Sequence, residues 1–237
     1  MAREPRPWIV LRHDPIVKHE DNLWSVVCDV PGMGLRRRMT LARKADGRVV
    51  VHNAVCCDEA TMKQITDWGE PASLIVPNGF HRLDAHAWKD RFPKSRVYCP
   101  EGATAKVREV IEVDGRCEDL DGGPTVKYET LDGVGKGEGV LIVRSGEKVT
   151  LVFNDVIFNQ PDLPGFAGWV MKNITDSTGG PKVTRVAKLF IAKERPALQA
   201  HLLRLSNEPG LTRLVPGHGD LVERDAASVL RAVANAL

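Results

Sequence analysis

Apolar and polar residues alternate in short blocks along this chain, and three of the apolar blocks run straight into an aspartate or a histidine. Ser73-Leu-Ile-Val76 leads into Pro77-Asn78-Gly79-Phe80-His81-Arg82-Leu83-Asp84-Ala85-His86. Val149-Thr-Leu-Val-Phe153 leads into Asn154-Asp155. Leu211-Thr-Arg-Leu-Val215 leads into Pro216-Gly217-His218-Gly219-Asp220. Apolar runs this short, closed by Pro, Gly, Asn or Asp, read as strands. Each therefore delivers a polar side chain at a strand end, which is where scaffolds place their chemistry.

The same pattern predicts the other elements. Residues 23–30 read as a strand. Met39–Arg43 and Arg48–His52 form a hairpin around Ala45-Asp46-Gly47, since Asp-Gly favours a tight turn. Asp58–Trp68 reads as a helix capped by Asp58, with Met62 and Ile65 on one face. Ala85–Arg91 is a short helix stopped before Pro93, Arg96–Cys99 a strand, and Ala103–Ile111 a helix. Thr125–Leu131, Gly139–Ser145 and Lys148–Phe153 are consecutive strands, and Gly133–Gly139 and Pro31-Gly32-Met33-Gly34 are turns. The segment 159–180, with its prolines and glycines, is a long loop or a loop holding a short helix. There Phe158, Phe166 and Trp169 either cover the core edge or line a pocket mouth. Lys182–Leu205 has helical spacing that Pro196 interrupts or restarts. Leu211–Val215 is the last strand and Asp225–Leu237 the closing helix. Strands and helices in this order suit an α/β (α+β) chain, a four-layer αββα sandwich in which each sheet is covered by helices. We read one domain over residues 1–237, with residues 1–20 as an arm packed on the body.

Composition narrows the classes. The chain has 237 residues, of which 43% are hydrophobic, enough for a sizeable core. Lys and Arg number 33 against 31 Asp and Glu, a formal net charge of +2. That balance offers no electrostatic case for nucleic acid. The short basic cluster Arg36-Arg37-Arg38 reads as a solvated loop. No run approaches the ~20 apolar residues of a membrane span, and Met-Ala-Arg-Glu-Pro-Arg-Pro-Trp lacks the apolar stretch of a secretory signal. The five cysteines include no Cys-x-x-Cys pair. They read as thiols of a cytoplasmic protein, with adjacent Cys56-Cys57 able to close only a strained ring. His52, at a strand end, reads as a loop histidine, with a place in the site as the alternative.

Several landmarks, in order, carry a family resemblance. They are Leu23-Trp24-Ser25, Met39-Thr40 before Asp46-Gly47, Val76-Pro77-Asn78 with His81, then Trp88, Phe92-Pro93 and Val97-Tyr98-Cys99-Pro100. Phe153-Asn154-Asp155 and Pro216-Gly217-His218-Gly219 complete the set. From about residue 20 to about residue 222 the chain resembles the metallo-β-lactamase superfamily, in a branch with a degenerate metal-binding motif. The resemblance implies a hydrolase-like αββα protein. Active members hold one or two zinc ions through His-x-His-x-Asp-His, a separate His, a bridging Asp and a last His. Here Asn78, Phe80, Arg82 and Leu83 stand at the main-motif positions. Gly133–Gly139 stands where the separate His is expected.

What the resemblance leaves is Asp155 at the bridging position, His218 at the last, and His81 as a third donor. These three can hold at most one metal, zinc or else iron, with Asp84 or His86 moving protons during attack on an ester, lactone or amide. The other reading is a catalytically inactive, metal-free scaffold that binds a small ligand or a partner. Both stay open on the sequence, as does an oligomer. Neither invokes nucleic acid or a membrane.

Overall fold

Residues 6–32 and 34–237 are described in a computed structural model of the chain. The first five residues of the expected arm, and Met33 of the expected turn, lie outside the described residues. The chain divides into two units, residues 1–129 and 130–237.

The first unit is built on one sheet of seven strands in sequence order: β1 (Val17–Glu20), β2 (Leu23–Asp29), β3 (Arg36–Arg43), β4 (Arg48–His52), β5 (Glu70–Ile75), β6 (Arg96–Cys99) and β7 (Gly115–Arg116). Pairing is antiparallel from β1 to β4 and parallel from β4 to β7. The switch follows from the connections. β3 and β4 are joined by the Asp46-Gly47 turn, where Gly47 sits at φ +84°. β4 and β5 are joined by helix α1 (Glu59–Trp68), the kind of crossover a parallel pair needs. The Asp58 carboxylate caps α1 by accepting from the Thr61 N–H at 2.7 Å, and Met62 and Ile65 are fully buried. α2 (Ala85–Arg91) buries Trp88, whose ring lies 5.7 Å from Trp8 and 5.3 Å from Phe92. Trp8, Leu11 and Ile16 pack against this core, and β1 zips residues 17–20 onto β2.

The second unit has its own core and sheet. β8 (Val126–Thr130) spans the boundary between units. β10 (Lys148–Val152) pairs antiparallel with β9 (Gly139–Ser145) and parallel with β11 (Leu211–Val215). Between β10 and β11 come α4 (Gly165–Asn173), α5 (Arg185–Phe190) and α6 (Arg195–Leu205), and α7 (Ala226–Asn235) closes the chain. α6 buries Leu198, Leu202 and Leu205, one stripe at helical spacing, in a cluster with Leu230, Val233 and Ala234 of α7.

Two expectations are corrected, and the restart of helical spacing at Pro196 is met. The stretch read as one helix over 103–111 is a 3-10 turn and a four-residue α3 (Thr104–Val107). Val107, Val110, Ile111 and Val113 crowd this segment, and β-branched side chains lose rotamer freedom in a helix. The helical spacing over 182–205 splits into α5 and α6, with Pro196 in the first turn of α6, where its missing N–H costs nothing. Arg36–Arg38 is not a solvated loop but the start of β3. Arg37 and Arg38 are buried there, and Arg36 reaches the carboxylates of Asp14 and Asp29. Among the described residues no helix is long and apolar enough to cross a membrane.

Candidate metal centre

In the second unit two parallel strands deliver their residues to the same edge. β10 and β11 run parallel with Val152 opposite Val215, and the Phe153 N–H extends the ladder to the Val215 carbonyl at 2.9 Å. Asp155 and His218 each lie three residues beyond that paired end. Equal offsets on parallel neighbours bring the two side chains together, and His218 Nε2 stands 3.3 Å from Asp155 Oδ1. Both are nearly withdrawn from solvent, at 9% and 5% exposure. Phe158 stacks on the His218 ring, with centroids 4.7 Å apart and planes 23° from parallel, and so limits its rotation.

The turn that carries His218 is held from both sides. Asn159 N–H donates to the His218 carbonyl at 3.1 Å, and Asp220 N–H donates to the Asn159 carbonyl at 2.8 Å. This approach requires glycine at position 219. Gly219 has φ +87°, and a Cβ there would lie 2.1 Å from the Asn159 carbonyl oxygen. We expect Gly219→Ala to cost about 2–4 kcal/mol, combining αL strain with a backbone clash. A thermal melt of the variant checks it, and a melting temperature unchanged within a degree would refute this account of the turn.

In the first unit His81 sits on a loop organised by Asn78. The Asn78 Oδ1 accepts from the N–H groups of Phe80 at 2.8 Å and His81 at 3.0 Å, an Asx-type turn. His81 Nδ1 lies 3.1 Å from Asn53 Oδ1, while Asn53 Nδ2 donates to the Arg38 carbonyl at 2.9 Å. With the amide nitrogen of Asn53 committed as donor, its oxygen can only accept. His81 must then carry its proton on Nδ1, which makes Nε2 the lone-pair nitrogen. The main-motif positions hold no metal donors: Phe80 is 79% exposed, and Arg82 pairs with Glu109 at 2.7 Å.

Asp84 and His86 have distinct surroundings. Asp84 is 1% exposed, and its oxygens accept from Arg37, from Arg6 at 2.6 Å and from the Cys56 N–H at 3.1 Å. It is an anchor between β3, the arm and the loop before α1. His86 Nδ1 lies 3.0 Å from the Asp90 carboxylate, one turn along α2.

Sequence reasoning gave no role of their own to Arg37 and Asn53. Arg37 is the buried partner of Asp84, and Asn53 orients His81. His52, read as a loop histidine, is the last residue of β4 and 1% exposed. Burial, and after it the neighbouring His81, pushes its imidazole down to about 3, so the ring is neutral. Among the described residues its Nε2 has no hydrogen-bond partner. A histidine closing the β-branched run Val49-Val50-Val51, with an asparagine after it, was the available signal. The aromatics of the long loop separate: Phe158 stacks on His218, whereas Phe166 and Trp169 are 80% and 54% exposed and cover no core. All five cysteines are buried free thiols. Burial pushes Cys56 up to about 12 and Cys57 up as well, which keeps that pair protonated.

No family model and no curated protein matches the sequence. Solved structures do match along nearly the whole chain. The DIM-1 metallo-β-lactamase aligns at 12% identity over 96% of this chain and 98% of its own, with a TM-score of 0.62. The same enzyme exposed to ceftazidime aligns at 14% identity over 98% and 99%, with a TM-score of 0.61. A metallo-β-lactamase from Pontibacter korlensis aligns at 11% identity over 95% and 100%, with a TM-score of 0.60. With its two sheets and their helices, the chain has the αββα fold of the metallo-β-lactamases.

Proposed function

We propose that this protein is a hydrolase of metallo-β-lactamase fold that holds one metal ion through His81, Asp155 and His218 and acts on an ester, lactone or amide. The observation that carries the reading is the Asp155–His218 pair, buried, fixed by strand register and oriented by Phe158. The donor chemistry fits. Two imidazole nitrogens and one carboxylate oxygen, each offering one ligand atom, suit zinc or iron with a coordination place left over. A metal so held, when bound, polarises a carbonyl and activates water at neutral pH.

The chain's own residues do the rest. The Asn53 amide presents Nε2 of His81, and the Phe158 ring holds the plane of His218. Proton transfer falls to His86, which is partly exposed, because both oxygens of Asp84 are already engaged by Arg6, Arg37 and Cys56. The five free thiols fit a reducing compartment.

A second reading, a metal-free scaffold for a small ligand or partner, is favoured by one observation. The main-motif positions carry an exposed Phe80 and an ion-paired Arg82 where donors would stand. The two readings separate on metal content. In protein purified without tag or added metal, the hydrolase reading expects about one zinc or iron per chain by elemental mass spectrometry. A folded, metal-free protein whose melting temperature ignores added zinc would establish the scaffold instead.

A further inference from the structure

We infer that the second unit docks on an anionic phospholipid membrane through the exposed face of α5 and the residues around it.

The apolar stripe of α5 points outward. Val186, Leu189 and Phe190 fall at i, i+3 and i+4, a spacing that normally turns a stripe toward a core. Ala187, on another side of the helix, is buried, whereas Leu189 and Phe190 are 63% and 66% exposed. α4 repeats the pattern. Phe166 and Trp169 lie one turn apart, exposed and stacked with ring centroids 6.0 Å apart. Ile174, also exposed, links the two helices, because Arg185 at the start of α5 donates to the Ile174 carbonyl at 2.8 Å. Six of the ten exposed large hydrophobic side chains among the described residues therefore fall within residues 166–190. Such clustering marks a surface that meets another apolar phase.

Charge selects what covers it. Residues 177–207 carry six Lys and Arg against one acid, Glu194, a local excess that the near-neutral total of the chain hides. Lys182 pairs with Asp176. Arg185, Lys188 and Arg195 donate to backbone carbonyls, which leave their charge uncancelled. Lys188, Lys193 and Arg195 also line a cleft of about 830 Å³ with Leu189, Pro196 and Ala197, where α5 gives way to α6. A second copy fits this face poorly, because in a twofold contact the patch would meet itself and set cation against cation. An anionic bilayer answers both halves of the surface. Its phosphates meet the cations, in the cleft and around it, and its acyl boundary receives Val186, Leu189 and Phe190.

The test is sedimentation of the full-length protein with vesicles of equimolar phosphatidylcholine and phosphatidylglycerol, against vesicles of phosphatidylcholine alone. Binding to the mixed vesicles is expected to be at least about tenfold tighter, and to weaken as salt rises. Leu189→Ser with Phe190→Ser should weaken it about 100-fold, since two apolar side chains no longer enter the acyl boundary. Lys193→Glu with Arg195→Glu should remove the preference for the mixed vesicles. A thermal melt of both variants should match the wild type, because all four side chains are exposed. No binding to the mixed vesicles, or binding indifferent to the two serines in a folded protein, would overturn the inference. So would a dimer in solution that the serine variant dissociates, since a second copy would then cover the face. Metal-free protein should bind the vesicles equally well, so the hydrolase reading can fail without this one.

Discussion

Replacing His218 by alanine is expected to cut bound metal from about one ion per chain to below about a tenth, and to remove any hydrolytic activity with it. The magnitude follows from ligand arithmetic. A four-ligand zinc site is worth about 10–16 kcal/mol, so one ligand carries about 3 kcal/mol, or about 100-fold in affinity. Here the loss goes further, because few donors remain to share it. Asp155 would lose the imidazole that stands 3.3 Å from its oxygen, and Phe158 would lose the ring it stacks on. The fold should survive, since the turn is held through backbone groups of Asn159 and Asp220 that do not involve the imidazole. Elemental analysis beside a circular-dichroism melt reads both effects at once. A folded His218→Ala protein that keeps one ion per chain would place the metal elsewhere. Asp155→Asn should lower affinity by less, because the amide oxygen still donates but without charge.

Elements in both units were legible in the sequence where burial sets the local pattern, and the reason is physical. Gly139–Ser145 and Leu211–Val215 are strands over the limits read from their apolar runs, because burial dominates there and glycine turns close them. The parallel register of Lys148–Val152 with Leu211–Val215 then determines that Asp155 and His218 meet, so those candidates needed only correct strand ends. β1 was invisible because Val17-Lys18-His19-Glu20 is a polar edge held by pairing with β2 and not by core packing. Arg36–Arg38 was misread for the related reason that charge suggests solvent. Whether a guanidinium is buried depends on carboxylates distant in sequence, here Asp14, Asp29 and Asp84. Asn53 escaped, and His52 was read first as a loop histidine, because nothing local in a sequence shows which imidazole nitrogen is left without a partner. That property belongs to the packed sheet edge.

Asp84→Ala is expected to destabilise the protein by about 3–5 kcal/mol, the cost of stranding a buried charge whose partner is removed. For a chain of this size that corresponds to a fall of about 10 °C in melting temperature. The decisive partner is Arg37, which is 2% exposed and, among the described residues, would keep for its guanidinium nitrogens the Ala54 carbonyl at 3.2 Å. The Cys56 N–H, at 3.1 Å from the same carboxylate, would also lose its acceptor. Arg6 is different. Its side chain is 20% exposed on the arm, so Arg6→Ala should cost no more than about 1 kcal/mol. The double change Arg37→Met with Asp84→Leu should recover most of the loss, because a buried pair replaced by apolar groups of similar volume leaves no charge stranded. Chemical denaturation of the three variants separates anchor from proton carrier. As an anchor, Asp84 moves stability in step with Arg37 and is rescued by the apolar pair. As a proton carrier, it would leave the denaturation midpoint where it is and change only the rate.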